Sequence, residues 1–261
     1  VHNVYKDGNL LAVWLDKKLH EAKNNYDVTK LLKTNTNNAH AVSVYRPLQA
    51  GMYNTICLPF SLSTLDGTPY EDATVLKLNT AEVIEAEGND DVETEQTLNI
   101  YFTQVTFQNG DIMEAGVPYL IQPLNDIPNE VTFTVSSSDM YDIPESGLGE
   151  VVHDIVEEGQ SPNIAFQGVI SPTHLPNSPH TLILVADNRL AVPEIVVDDS
   201  EDENVAVLTG DQMLGLRGYF TLQGAAAAQS LAQQSAMHIG KKVTTDTPDV
   251  PEVEEDVESV Q

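Results

Sequence analysis

Apolar and polar residues alternate along most of this chain. Ile56, Leu58, Phe60 and Leu62 put an apolar side chain at every second position, the period of a strand with one buried face. Pro59 inside that run cannot donate to a ladder, so an edge or a bulge is expected there. Leu98, Ile100 and Phe102 alternate too, and Val105 and Phe107 continue in the opposite phase. That change of phase predicts a bulge or bend at Thr103-Gln104. Asn109-Gly110 is a tight-turn dipeptide. Further strands are predicted over residues 117–122, 131–135 and 165–170. The run Leu182, Ile183, Leu184, Val185 is apolar on both faces, as in a central strand. Leu216, Gly218, Phe220 and Leu222 alternate again, with Arg217, Tyr219 and Thr221 opposite.

The two ends read differently. Asp7-Gly8 signals a turn, and Trp14, Leu15, Leu19 and Ala22 fall near helical spacing, which predicts a short helix. Residues 26–32 read as a strand and 34–38 as a loop. The Ala/Gln-rich stretch 225–234 reads as one short helix, and Met237, Ile239 and Val243 predict a last strand. Strands thus recur at short spacing between Gly, Pro, Asn and Asp clusters, with no long helical pattern among them. This is the signature of an all-β antiparallel sandwich or barrel and not of βαβ units. The expected organisation is a mixed N-terminal flank over residues 1–40, a β module over 41–245 and an acidic, Pro-containing, disordered tail over 246–261.

Charge narrows the partners. Lys plus Arg is 12 and Asp plus Glu is 40 among 261 residues, a formal net charge of −28. Six of the 12 basic residues fall within the first 33 positions, so a locally basic flank precedes an acidic body. Such a surface repels a phosphate backbone and an anionic lipid face, which argues against nucleic acid and against membrane insertion. The longest apolar runs are far below the roughly 20 residues of a membrane span. Cys57 is the only cysteine, so no intrachain disulfide forms, although export remains compatible with that. The chain begins at Val1, which reads as a mature or trimmed start after a leader.

Three segments in order carry a resemblance. The first is Val44-Tyr45-Arg46 followed by residues 50–60, AGMYNTICLPF. The second is residues 114–123, EAGVPYLIQP, and the third residues 216–222, LRGYFTL. Phe166-Gln167-Gly168 and Ser171-Pro172 sit between the second and third. Over residues 41–245 the chain resembles a β-sandwich module of cell-surface and secreted proteins of Bacteroidetes. The resemblance implies a sandwich of jelly-roll or Ig-like type and a location outside the cell or at its surface after signal-peptide removal. It also implies neighbouring modules on the same polypeptide and a non-enzymatic role in adhesion or ligand display. The implied partner is a host protein, a mucin or a polysaccharide. It carries no active site, metal or cofactor. A structural spacer, or an ancillary carbohydrate-binding domain of a glycan-degrading system, is the alternative.

As residues, these motifs read as architecture. Gly51, Gly116 and Gly218 allow tight turns or close backbone approach. Pro59, Pro118 and Pro123 limit further pairing and shape edges. Arg46 and Arg217 belong to the strand pattern, where ion pairing or carbonyl binding is the structural reading. The functional reading has one of them lining a groove for an anionic ligand.

Other candidate chemistry is weak. His20-Glu21 starts like a zinc-protease helix, but Asn24 stands where the second His belongs. No His pair has tight ligand spacing, and no Gly-x-Ser-x-Gly elbow occurs. Gly147-Leu148-Gly149 lacks the third glycine of a dinucleotide loop. His153 and Asp154, neighbours on a strand pattern, point to opposite faces. The acidic run 198–204 lacks the spacing and glycine of a calcium loop. Cys57 reads as a packing residue. The nine Tyr serve equally as sugar-stacking platforms or as core residues with the hydroxyl at the rim.

Overall fold

The computed structural model describes residues 2–6, 9–14, 17–35, 39–85, 96–143, 164–176, 178–185, 189–193, 212–222 and 238–241. Two strands open the chain, β1 (His2–Lys6) and β2 (Asn9–Trp14), paired antiparallel. Next come β3 (Lys18–His20), the helix α1 (Tyr26–Thr34), β4 (His40–Tyr45) and β5 (Asn54–Cys57). The long β6 (Thr74–Glu85) and β7 (Gln96–Gln104) follow, then β8 (Pro118–Gln122) and β9 (Val131–Val135). The C-terminal part adds β10 (Ile164–Val169), β11 (Thr173–His174), β12 (Thr181–Val185), β13 (Arg189–Ala191), β14 (Gln212–Met213), β15 (Arg217–Leu222) and β16 (His238–Lys241).

The architecture is all-β, mostly in antiparallel pairs. A five-stranded sheet runs β16-β7-β6-β8-β5, a four-stranded sheet β10-β15-β12-β13 and a three-stranded sheet β3-β4-β9. Two pairs depart from the antiparallel expectation: β3 with β4, and β16 with β7, are parallel. The five-stranded sheet is buried on both faces around β5, β8 and the start of β6, which its sequence permits because β8 is apolar at consecutive positions. Leu120 joins Leu76, Ile100 and Phe102 in a cluster with Phe166, Leu182 and Phe220 of the four-stranded sheet. Its neighbours Tyr119 and Ile121 point the other way, into a second cluster with Val42, Val44 and Phe133 of the three-stranded sheet and Leu32 of α1. In the first cluster Phe166 and Phe220, paired across β10 and β15, stack at 4.2 Å, and Phe102 meets both edge-on at 6.4 and 6.2 Å.

Several expectations need correction. The short helix expected around Leu19 is instead strand: β2 ends at Trp14 and β3 carries Leu19, buried between an exposed Lys18 and a half-buried His20. The strand expected over 26–32 is the helix α1. Its buried residues Tyr26, Thr29 and Leu32 recur every third position, with Asp27 in the first turn and Lys33 in the last favouring the helix dipole. Tyr26 and Val28 stand two apart, a spacing that reads as a strand. The bulge expected at Thr103-Gln104 falls across the ladder, between Leu78 and Thr80 of β6, and β7 simply ends at Gln104. Phe107 opens a one-turn 3₁₀ helix closed by Gly110 at φ +90°. The strand through Ile56 stops at Cys57, before Pro59. Tyr219 is buried on the face expected to be open.

Residues 17–35, placed by pattern in a separate flank, pack into the main body: β3 pairs with β4, and Leu19 and Leu32 share the second cluster. The helix expected over 225–234, the tail 246–261, the run 198–204, Gly147-Leu148-Gly149 and His153-Asp154 lie outside the described residues. Among the described residues no helix is long and apolar enough to cross a membrane, a statement that does not extend to β-barrels.

Candidate functional site

The three motif segments converge on one buried polar knot. Arg46 follows β4 and turns inward, 1% exposed. Its Nη1 donates to the Leu216 carbonyl and its Nη2 to the Thr55 carbonyl. The first motif is thereby tied to itself and to the third. Leu216 accepts a second bond from the Cys57 N–H at 3.2 Å. It adopts φ +58°, the left-handed region that costs a leucine roughly 1–2 kcal/mol, and these donors hold it there. Thr55 closes the ring, its hydroxyl accepting from the Gly218 N–H at 3.1 Å.

The glycines explain how close the layers come. Gly168 and Gly218 are directly paired across β10 and β15. A Cβ at Gly218 would meet Phe166 at 2.6 Å and Pro118 at 2.9 Å, and one at Gly168 would meet the Cys57 sulfur at 2.6 Å. The glycine pair therefore lets the four-stranded sheet rest directly on β5 and β8. Gly51 and Gly116 are turns at φ +69° and +77°, in the region where only glycine sits without strain. Gly51 donates to Pro123 O at 2.9 Å and Gly116 to Leu58 O at 2.7 Å. Pro59 offers its carbonyl to Tyr141 N at 2.9 Å, and Pro118 starts β8 opposite Cys57.

Arg217 begins β15 and pairs through Nη2 with Glu21 at 2.6 Å, the two side chains being 34% and 16% exposed. Glu21, which in sequence belongs with His20 to an incomplete zinc motif, serves this ion pair. His20 instead stacks on Tyr45, ring centres 5.3 Å apart. Asn25, which no motif singled out, clamps the same region: its Nδ2 donates to Ile170 O at 2.7 Å and to His20 O at 3.1 Å, and its Oδ1 accepts from His20 N at 2.9 Å. A buried Asn carries no periodic signal, so only the fold reveals it.

The knot's electrostatics are unusual. Burial lowers the pKa of Arg46 from 12.5 to about 9, with Arg217 adding repulsion and Glu21 opposing it. The guanidinium is still charged at neutral pH. Burial likewise pushes the Cys57 thiol up to about 12 and the Tyr70 phenol well above its ordinary value. Arg46 Nε, Arg217 Nε and the Tyr70 hydroxyl are buried without a hydrogen-bond partner.

Arg46 and Arg217 line one cleft of about 250 Å³ together with Gln49, Met52, Tyr53, Asn54, Thr55, Leu184 and Val185. A larger cleft of about 460 Å³ lies over β6 and β7, with Lys77, Asp111 and Glu114 among its lining residues. Among the described residues no group of three His, Cys, Asp or Glu side chains is placed to hold a metal ion. No protein-family model matches the chain, and no curated protein or solved structure matches it.

Proposed function

We propose that this chain is a non-catalytic, ligand-binding module of β-sandwich type, jelly-roll or Ig-like, carried outside the cell or at its surface by a modular bacterial protein. Its role is adhesion or ligand display beside neighbouring modules of the same polypeptide. The partner class is a host protein, a mucin or a polysaccharide. The observation that carries the reading is the shared cleft of Arg46 and Arg217, which brings a buried and a partly exposed motif arginine to one concave site. Two features support a non-catalytic role there. Cys57, the nucleophile nearest the knot, is held as an inert thiol by burial. Arg46 has its terminal nitrogens committed to backbone carbonyls.

A structural spacer is the second reading. It is favoured by the burial of Arg46, Pro118 and Gly218, which makes those motif residues scaffold. A binding screen of the purified chain against glycans, mucins and matrix proteins at physiological salt decides between the two. A saturable, competable hit that survives added salt supports the binding module. A blank across the panel supports the spacer.

A further inference from the structure

The cleft holds more positive charge than the fold consumes. Both arginines line it, Arg46 from beneath the surface, and among the described residues Glu21 is the one carboxylate bonded to either. This local excess of one positive charge sits in a chain of net charge −28. Arg46 is locked by the Leu216 and Thr55 carbonyls, so it acts as a fixed charge at the back of the cleft. Arg217 is one-third exposed, and Glu21 engages only its Nη2. Its Nε is buried and has no partner, so Nη1 is the donor left for a ligand.

The rest of the lining selects among anions. Asn54 spends its Nδ2 on the carbonyls of Met52 and Gln49, at 2.9 and 3.5 Å, which leaves Oδ1 as an acceptor. Gln49 is exposed and brings an amide with both donor and acceptor. Leu184 and Val185 supply an apolar wall. A small inorganic anion has no use for that wall or for a bare acceptor. A sugar uses both, its C–H face on the wall and its hydroxyls on the amides. A volume of about 250 Å³ suits one monosaccharide and is too small for a drug-sized or polymeric ligand buried whole.

We infer that this cleft is a subsite for one acidic sugar residue, a hexuronate or sialate unit of a glycan, whose carboxylate meets Arg217 in front of the fixed charge of Arg46. The inference rests on the binding-module reading and names its ligand class. A guanidinium N–H donates well to a carboxylate, and a charge-assisted bond of this kind carries about a tenfold effect or more on affinity.

The test titrates the purified chain by calorimetry at fixed ionic strength. The probes are sialyllactose, a glucuronate-terminated disaccharide, lactose and sodium acetate. The expected result is that at least one acidic sugar binds roughly tenfold or more tighter than lactose and acetate, and the two acidic probes tell sialate from hexuronate. Arg217→Gln is expected to lose about tenfold in affinity. Gln49→Ala, an exposed change that leaves the fold alone, is expected to weaken binding severalfold and so controls for any loss of stability at Arg217. Equal binding of lactose, equal binding of acetate, or full affinity in Arg217→Gln each overturns the assignment. No acidic-sugar binding alongside a hit elsewhere in the wider screen overturns this inference alone. A blank in both overturns the binding-module reading with it.

Discussion

Arg46 permits a prediction in which two large terms oppose each other. Removing its guanidinium forfeits two hydrogen bonds from a charged donor, about 1.5–3 kcal/mol each, and leaves the Thr55 carbonyl without that donor. Against this, the fall of its pKa from 12.5 to about 9, driven first by burial, sets the cost of keeping the cation inside at on the order of 5 kcal/mol. The terms nearly cancel. Arg46→Met keeps an unbranched apolar stem and drops both terms, so it is expected to change stability by no more than about 2 kcal/mol, as other buried ionic groups do when replaced by apolar side chains of similar volume. Arg46→Ala drops both terms and also empties a site that is 1% exposed, which adds a cavity and lost stem burial. It is expected to lose about 2–4 kcal/mol more than Met. Urea unfolding of the three proteins at pH 7, followed by far-UV circular dichroism, measures the difference. If Met proves as damaging as Ala, the charge is worth far more than its burial costs, and the guanidinium has an anionic partner that this reasoning leaves out.

Four further outcomes are expected. The Cys57, Tyr70 and Tyr119 protons are all held more tightly in the folded chain, Cys57 and Tyr119 up to about 12, chiefly by burial. The unfolded chain releases them from pH 9–10 upward, so these groups erode stability through that window, while Arg46 alone works the other way above about 9. The urea midpoint is therefore expected to fall between pH 9 and 11, and a flat or rising midpoint contradicts this. Tyr70→Phe removes a buried hydroxyl that has no partner, so it is expected to hold or raise stability, by roughly 0–2 kcal/mol, and to reduce the alkaline slope. Gly218→Ala forces a Cβ to 2.6 Å from Phe166 and is expected to destabilise strongly, whereas Gly51→Ala meets only the strain of φ +69° in open space, about 1 kcal/mol; equal melting temperatures would remove the close-approach argument. Asn25→Ala breaks three bonds, one to the Ile170 carbonyl and two to the His20 backbone, and is expected to cost about 2–3 kcal/mol, which thermal unfolding reads directly.

How far these features were legible depends on their range. Strands whose burial alternates or runs continuously, such as Val131–Val135 and Pro118–Gln122, could be placed because a period of two is local information. The turn at Gly110 was equally readable from Asn109-Gly110. Residues 14–32 were misread because short segments with two or three apolar positions fit both periods; β3 and α1 are decided by what they pack on, namely β4 and the cluster around Leu32. The arginines stood out as basic residues within strand patterns of an acidic body. Their convergence did not, because Arg46 meets Leu216 across 170 positions and Arg217 meets Glu21 across 196. Asn25, the ion-pairing of Glu21 and the left-handed backbone of Leu216 carry no local signal; each is defined by a partner far away in sequence.

Binding in the cleft of Arg46 and Arg217 is tested most sharply by ¹⁵N chemical-shift mapping of the labelled chain as an acidic oligosaccharide is added. Saturable shifts are expected, centred on Tyr53, Asn54, Thr55, Leu184, Val185 and Arg217, with the cleft near Lys77 and Glu114 silent. Shifts confined to that second cleft, or scattered over the surface without saturation, would contradict it.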